Sequence, residues 1–106
     1  MAILRLRPAP DRKECFVSAL QTISALAEAT PGCLESSLYR ATGEDGVFLY
    51  FERWSSGEDL KRHLRTESYR KLLFLIELAA DVPALSFYDV VTHRGMDAVS
   101  EAREQM

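Results

Sequence analysis

The sequence predicts an α+β fold of the ferredoxin-like, split β-α-β kind: one four-stranded antiparallel sheet with its helices on one face. Three observations predict it. Residues 2–7, 33–41 and 85–92 alternate in side-chain character with a period of two, the pattern of a half-buried strand. Between the first two stretches, Phe16, Leu20, Ile23 and Ala27 recur at helical spacing. Residues 47–54, Val-Phe-Leu-Tyr-Phe-Glu-Arg-Trp, are apolar on both faces, which suits a strand covered on both sides. The order is β-α-β-β-α-β, and it implies strand order 4-1-3-2 with the first and third strands central.

The first strand sets Ala2, Leu4 and Leu6 against Ile3, Arg5 and Arg7, and Pro8 and Pro10 end it. Asp11 is the expected N-cap of a helix reaching Ala29, with Glu14 at capping-box spacing. Thr30-Pro31-Gly32 stops that helix and turns the chain. The second strand places Leu34, Ser36 and Leu38 on one face, with Cys33, Glu35, Ser37 and Tyr39 on the other. Thr42-Gly43-Glu44-Asp45-Gly46 reads as the hairpin turn into the third strand, its glycines supplying positive φ. Ser55 or Ser56 caps a short helix through Leu64, with Glu58 and Asp59 suited to its first turn. Thr66 caps another over residues 67–80, and Pro83 follows it. In that helix Leu72, Leu73, Phe74, Leu75, Ile76 and Leu78 cannot all face one core, so burial on more than one side is expected. Residues 85–92 form the last strand. Residues 1–92 make one domain, and residues 93–106 a polar tail in which Met96, Val99 and Met106 are spaced for a weak helix, a candidate arm over a partner.

Composition narrows the function. At 106 residues with 47% hydrophobic and 27% charged residues, the chain has the balance of a single globular domain. A net charge of -3 argues against nucleic-acid binding, which needs a basic surface to displace counterions. The longest apolar run, residues 72–80, is too short to span a membrane and carries Glu77. Arg5 and Arg7 interrupt the only apolar stretch near the N-terminus, so a cytoplasmic location is expected. Cys15 and Cys33 match no zinc spacing and are too few for a disulfide scaffold, and His63 and His93 alone make no histidine-rich metal site. A core this thin makes a homodimer a reasonable expectation.

Thr-Pro-Gly-Cys-Leu-Glu-Ser-Ser-Leu-Tyr-Arg (residues 30–40), followed by Phe-Leu-Tyr-Phe-Glu-Arg-Trp-Ser-Ser-Gly-Glu-Asp-Leu-Lys-Arg-His-Leu (residues 48–64), resembles the antibiotic biosynthesis monooxygenase (ABM) domain family. The marks are Pro31-Gly32-Cys33, Leu38-Tyr39-Arg40, Glu52 with Trp54, and His63 nine residues after that tryptophan. The resemblance spans most of the chain. It implies a dimeric α+β barrel, two sheets packed face to face across a two-fold, which would account for the doubly apolar third strand. It also implies oxidation of a small aromatic, phenolic or quinol substrate by dioxygen without flavin, haem or metal, although the superfamily hosts other chemistries on one scaffold. Haem-binding relatives carry an axial His where this chain has Leu73, a Trp where it has His63, and an Asn in a first strand that here offers Ile3, Leu4 and Leu6.

For an oxygenase, His63 is the leading proton acceptor, because imidazole is the side chain with an unperturbed pKa near neutrality and a phenolate gives up an electron far more readily than a phenol. The plainer alternative is a surface or half-buried histidine among Lys61, Arg62 and Arg65. Glu52 is the fallback base with a raised pKa, or orients His63. The plainer expectation is an ion pair with Arg40 or Arg53. Trp54 suits stacking on an aromatic substrate, and equally plugging the end of the sheet. Tyr50 shares its strand face with Glu52 and Trp54 and ranks ahead of Tyr39, Tyr69 and Tyr88 as a substrate-binding tyrosine. Lys61, Arg62, Arg65, Arg70 and Lys71 form either an anion-attracting surface or a solvated helix face. The competing function is a non-catalytic dimer that binds or senses a small ligand.

Overall fold

In the computed structural model of the chain, which describes residues 1–77, 79 and 83–105, β1 (Ala2–Leu6) lies between β3 (Phe48–Trp54) and β4 (Ala84–Phe87), and β2 (Cys33–Arg40) flanks β3. Every pairing is antiparallel and the order is β2-β3-β1-β4, the order expected from the sequence. Leu4 faces Tyr50 on one side and Leu85 on the other, and Ala2 faces Glu52. One sheet face thus collects Leu4, Leu6, Phe48, Tyr50, Glu52 and Trp54, all buried.

Helix α1 (Lys13–Glu28) covers that face with Phe16, Leu20, Ile23 and Ala27, each fully or nearly buried. Burial of each large side chain contributes roughly 1.5–3 kcal/mol. The helix starts later than Asp11. Pro10–Arg12 instead form a 3-10 turn, closed by the Arg12 N–H donating to the Ala9 carbonyl at 2.8 Å. Asp11 lies inside that turn rather than at the helix boundary, and no side chain caps α1.

The Pro-Gly-Cys turn has a definite mechanical role. Gly32 has φ +93°, and a Cβ there would lie 2.5 Å from Cγ of Asp59. The Gly32 carbonyl accepts from the Ser55 N–H at 2.8 Å. The turn into β2 therefore presses directly on the start of α2 (Gly57–Leu64) and sets where that helix begins. Ser56 caps α2, accepting from the Asp59 N–H at 3.2 Å, while the Ser55 and Ser56 hydroxyls donate to Asp59 Oδ2 at 2.7 and 2.9 Å. Thr66 caps α3 (Glu67–Glu77) through the Tyr69 N–H at 3.2 Å, and its hydroxyl donates to the His63 carbonyl at 2.7 Å.

In α3, Leu72 is buried, Leu75 and Ile76 pack against the core from its edge, and Leu73 and Phe74 are exposed. Leu78 and Ala80, where the sequence continued this helix, lie outside the described residues. The last strand is shorter than residues 85–92. Phe87 pairs with Ala2 and Tyr88 exchanges backbone hydrogen bonds with Met1, and beyond them Val90 and Val91 are exposed, Val91 at 95%. The tail does form a helix, α4 (Met96–Glu104), none of whose residues is buried. Met106 lies outside the described residues. The radius of gyration, 16.0 Å, exceeds the ~13 Å typical of a compact chain near 100 residues because this tail projects.

The opposite sheet face carries Ile3, Tyr39, Leu49 and Phe51, half-buried or exposed, and Arg5, whose guanidinium pairs with Glu44. Among the described residues no helix is long and apolar enough to cross a membrane.

Candidate functional site

Strand periodicity points Tyr50, Glu52 and Trp54 to the helix side of β3, and α2 brings His63 against them. Glu52 and His63 are 3% and 4% exposed. The Glu52 carboxylate collects three side-chain donors. The Tyr50 hydroxyl donates to Oε2, and the Trp54 indole N–H donates to Oε1 at 3.1 Å. His63 Nε2 lies 3.0 Å from Oε1 and 3.1 Å from Oε2. An ionised carboxylate only accepts, so Nε2 carries a hydrogen and donates it to Glu52. The rings hold this arrangement. Trp54 stacks on His63 with centroids 4.5 Å apart, and Tyr69 meets His63 edge-on at 5.5 Å.

These contacts decide the electrostatics. Burial pushes the Glu52 carboxyl up, but hydrogen bonds from His63, Tyr50 and Trp54 outweigh it and hold the group below the usual carboxylate value. The raised-pKa glutamate expected from its burial is therefore corrected. So is its expected arginine partner. Arg53 points to the opposite sheet face and pairs with Glu35 at 3.2 Å, and Arg40 sits opposite Phe48 at the far end of the hairpin. The alternative of a surface or half-exposed His63 also falls, because α2 turns this residue inward and its charged neighbours outward. Burial, then the Glu52 charge, raises the Tyr50 phenol well above its ordinary value. The same two causes push Tyr69 up to about 12. Burial first, then Glu52, raises the Cys33 thiol.

A small cavity adjoins the cluster, lined by Ala2, Leu4, Tyr50, Glu52, Tyr69, Leu72 and Leu85. At about 10 Å³ it has room for one water-sized sphere. Of the four residues singled out in the sequence, Tyr50 and Glu52 line this cavity. Trp54 and His63 stand behind Glu52, and Trp54 faces an open groove with Arg53, Val90 and His93 on its outer side. Tyr69 was under-ranked by sequence reasoning: it is buried, it lines the cavity, and its hydroxyl has no hydrogen-bond partner. No periodicity relates it to His63, since a helix break separates them. Tyr39 and Tyr88 are exposed and take no part. Lys61, Arg62 and Arg70 form exposed i,i+3 pairs with Glu58, Asp59 and Glu67, a solvated helix face of small energetic weight. Among the described residues no three His, Cys, Asp or Glu side chains converge as a metal site would require.

The model of the antibiotic biosynthesis monooxygenase family matches residues 1–73. The chain is 34% identical over 64 residues to the uncharacterised protein sll1783 of Synechocystis sp., a match covering 60% of this chain and 44% of that protein. It is 26% identical over 61 residues to YcnE of Bacillus subtilis, named as a candidate monooxygenase, covering 58% of this chain and 64% of that one. The matches thus span less than two thirds of either relative. A crystal structure from Caulobacter crescentus, described as a candidate antibiotic biosynthesis monooxygenase, superposes with a TM-score of 0.76 at 26% identity, covering 86% of this chain and 88% of that one.

Proposed function

The chain belongs to the antibiotic biosynthesis monooxygenase family, and on that premise we propose that it oxidises a small phenolic or quinol substrate with dioxygen, using the buried Glu52–His63 pair to take the substrate proton. The observation that carries this reading is a carboxylate with three donors at the wall of a cavity, facing a phenol with no partner of its own. Glu52 is the member of the pair in reach of the cavity, so it is the proton acceptor, and its lowered proton affinity requires a substrate phenol acidified by its own ring substituents or by a hydrogen bond from Tyr69. His63 holds the carboxylate through Nε2–H and shares the charge. Tyr69, its hydroxyl unengaged, donates to the substrate oxygen, and Tyr50 fixes the other side of the carboxylate. Trp54 shields the pair from the outer groove. Direct two-electron attack of triplet dioxygen on a closed-shell ring is spin-forbidden, and a phenolate avoids it by first giving one electron to dioxygen, which is why a dry proton acceptor is the part this chemistry cannot omit. No flavin, haem or metal is needed in this scheme. A ring-sized substrate exceeds the present cavity, so its binding displaces a wall of Leu72 or Leu85.

In the same reading the open sheet face, with Ile3, Tyr39, Leu49 and Phe51, is the surface of a homodimer, buried over more than ~1,000 Å². A second reading, a small-ligand-binding dimer without turnover, is favoured by the size of the cavity and by the absence of His63 from its wall.

Dioxygen uptake by metal-free protein across a panel of hydroquinones and naphthols separates the two. Turnover that Glu52→Gln lowers by ~10²–10⁴-fold is the expected result. Binding of panel members without uptake selects the second reading and overturns the first.

A further inference from the structure

The buried carboxylate is connected to the protein surface by an unbroken line of hydroxyls. Glu52 Oε2 accepts from Tyr50, Tyr50 Oη lies 3.1 Å from Ser36 Oγ, and Ser36 Oγ lies 2.8 Å from Ser24 Oγ. Ser36 is buried and Ser24 is half-buried, and both line an open groove between α1 and β2 together with Gln21, Glu28 and Tyr39. The direction of every bond follows from the inner end. The carboxylate cannot donate, so Tyr50 donates to it. Tyr50 has then spent its hydrogen, so Ser36 donates to Tyr50 and Ser24 to Ser36. All three O–H bonds point inward, and Ser24 Oγ is left to accept from water in the groove.

Structural need does not account for this line. The Tyr50 hydroxyl already has a strong partner in Glu52. Two further serines, one of them fully buried on a strand face otherwise lined by Leu38 and Tyr50, add desolvation cost where an alanine would pack. On the cavity side there is no continuation, since the Tyr69 hydroxyl is unpartnered.

We propose that Ser24, Ser36 and Tyr50 form a proton relay that joins the Glu52–His63 pair to solvent in the groove while the cavity side stays closed. It rests on the reading of Glu52 as a proton acceptor. In the inward leg a hydronium ion in the groove gives a proton to Ser24 Oγ and becomes water. The Ser24 hydrogen passes to Ser36, that of Ser36 to Tyr50, and that of Tyr50 to Glu52 Oε2. Four O–H bonds break, four form, and one positive charge is neutralised at the carboxylate. The outward leg clears a substrate-derived proton after the three hydroxyls rotate to point outward: the Glu52 carboxyl gives its proton to Tyr50 Oη, Tyr50 gives its own to Ser36, Ser36 to Ser24, and Ser24 to water in the groove, so that four O–H bonds again break and four form without opening the site. Ser24, Ser36 and Tyr50 act here as relay groups that do not touch substrate through this path.

The test does not use turnover, so its failure is distinct from failure of the oxygenase reading. In protein labelled with ¹⁵N-histidine, the solvent exchange rate of the His63 Nε2–H is measured by NMR, alongside the backbone amides of β3 as a gauge of opening. Ser36→Ala breaks the line, and Tyr50→Phe breaks it at a second place should the first variant fold poorly. Slowing of His63 exchange by about tenfold or more, with β3 amides unchanged, is the expected result. An unchanged or faster His63 rate with unchanged amides would mean that the proton leaves by another route, and the relay is rejected.

Discussion

The two faces of β3 invert the ordinary distribution of side chains. Toward the helices, where apolar residues usually gather, the strand buries Glu52 with Tyr50 and Trp54 and meets His63. Away from the helices, where polar residues usually gather, it presents Leu49 and Phe51 beside Ile3 and Tyr39. A charge inside is costly unless it serves something, and an apolar surface outside is costly unless something covers it. The first asymmetry supports the proposed chemistry and the second the proposed homodimer.

The comparison breaks most visibly at Glu52. Glu52→Ala leaves three buried donors facing a void, and each buried donor left unsatisfied costs roughly 1–3 kcal/mol, so a loss of about 3 kcal/mol or more is expected. Urea unfolding should show a loss of that size, and a loss under about 1 kcal/mol would mean that water satisfies the donors. Phe51→Arg attacks the other face. In the proposed homodimer it should weaken association by at least about 100-fold, near 2.7 kcal/mol, with Trp54 emission unchanged. Sedimentation that finds the variant as dimeric as the parent removes this face as the interface.

Between these faces stands the turn that places α2. Gly32→Ala combines a left-handed backbone with a collision against Asp59, and about 2 kcal/mol of destabilisation is expected from the mechanisms that act on such positions. Thermal melting reads it, and an unchanged midpoint would show that Asp59 can swing away at little cost. The gentlest probe is acid. Glu52 is held below its ordinary pKa of about 4.5, so its contribution is complete above that value and lost as pH falls through its lower folded-state value. Tyr50 and His63 face it directly, with Tyr69 and Cys33 near enough to feel its charge. The parent should therefore lose stability relative to Glu52→Gln only on the acid side of about 4.5. Parallel profiles would contradict the assigned direction.

How much of this was legible in the sequence depends on whether the signal is local. Phe16, Leu20, Ile23 and Ala27 announce α1 because helical spacing is a property of neighbours, and Tyr50, Glu52 and Trp54 announce one strand face for the same reason. Val90 and Val91 alternate like strand residues, yet a strand also needs an opposing backbone, and the ladder with β1 stops at Phe87, with Tyr88 bonded to Met1. Asp11 has the chemistry of a cap but sits inside a turn that Pro10 begins. For Glu52, burial and a contact with His63 were both foreseeable, but the sequence could not rank that contact above an arginine pair. Trp54 lies two residues away on the same strand, while His63 arrives from a different helix, so an arginine looked the simpler partner. Ser24 and Ser36 carried no sequence signal, and Tyr69 stood as one tyrosine among four, because a serine or tyrosine acquires its role only from what it touches.

Trp54 is the single tryptophan of the chain, and its indole lies against the imidazole of His63 at 4.5 Å. A protonated imidazole quenches an excited indole by accepting an electron, and a neutral one does so far less. The protein therefore contains its own optical reporter. Ultraviolet emission from one fluorophore depends on its contact with the ring beside it, so a ligand that moves His63 changes the signal without any label. Ligand screening against this chain needs only a fluorimeter, and the intensity it records comes from the site rather than from an average over the fold.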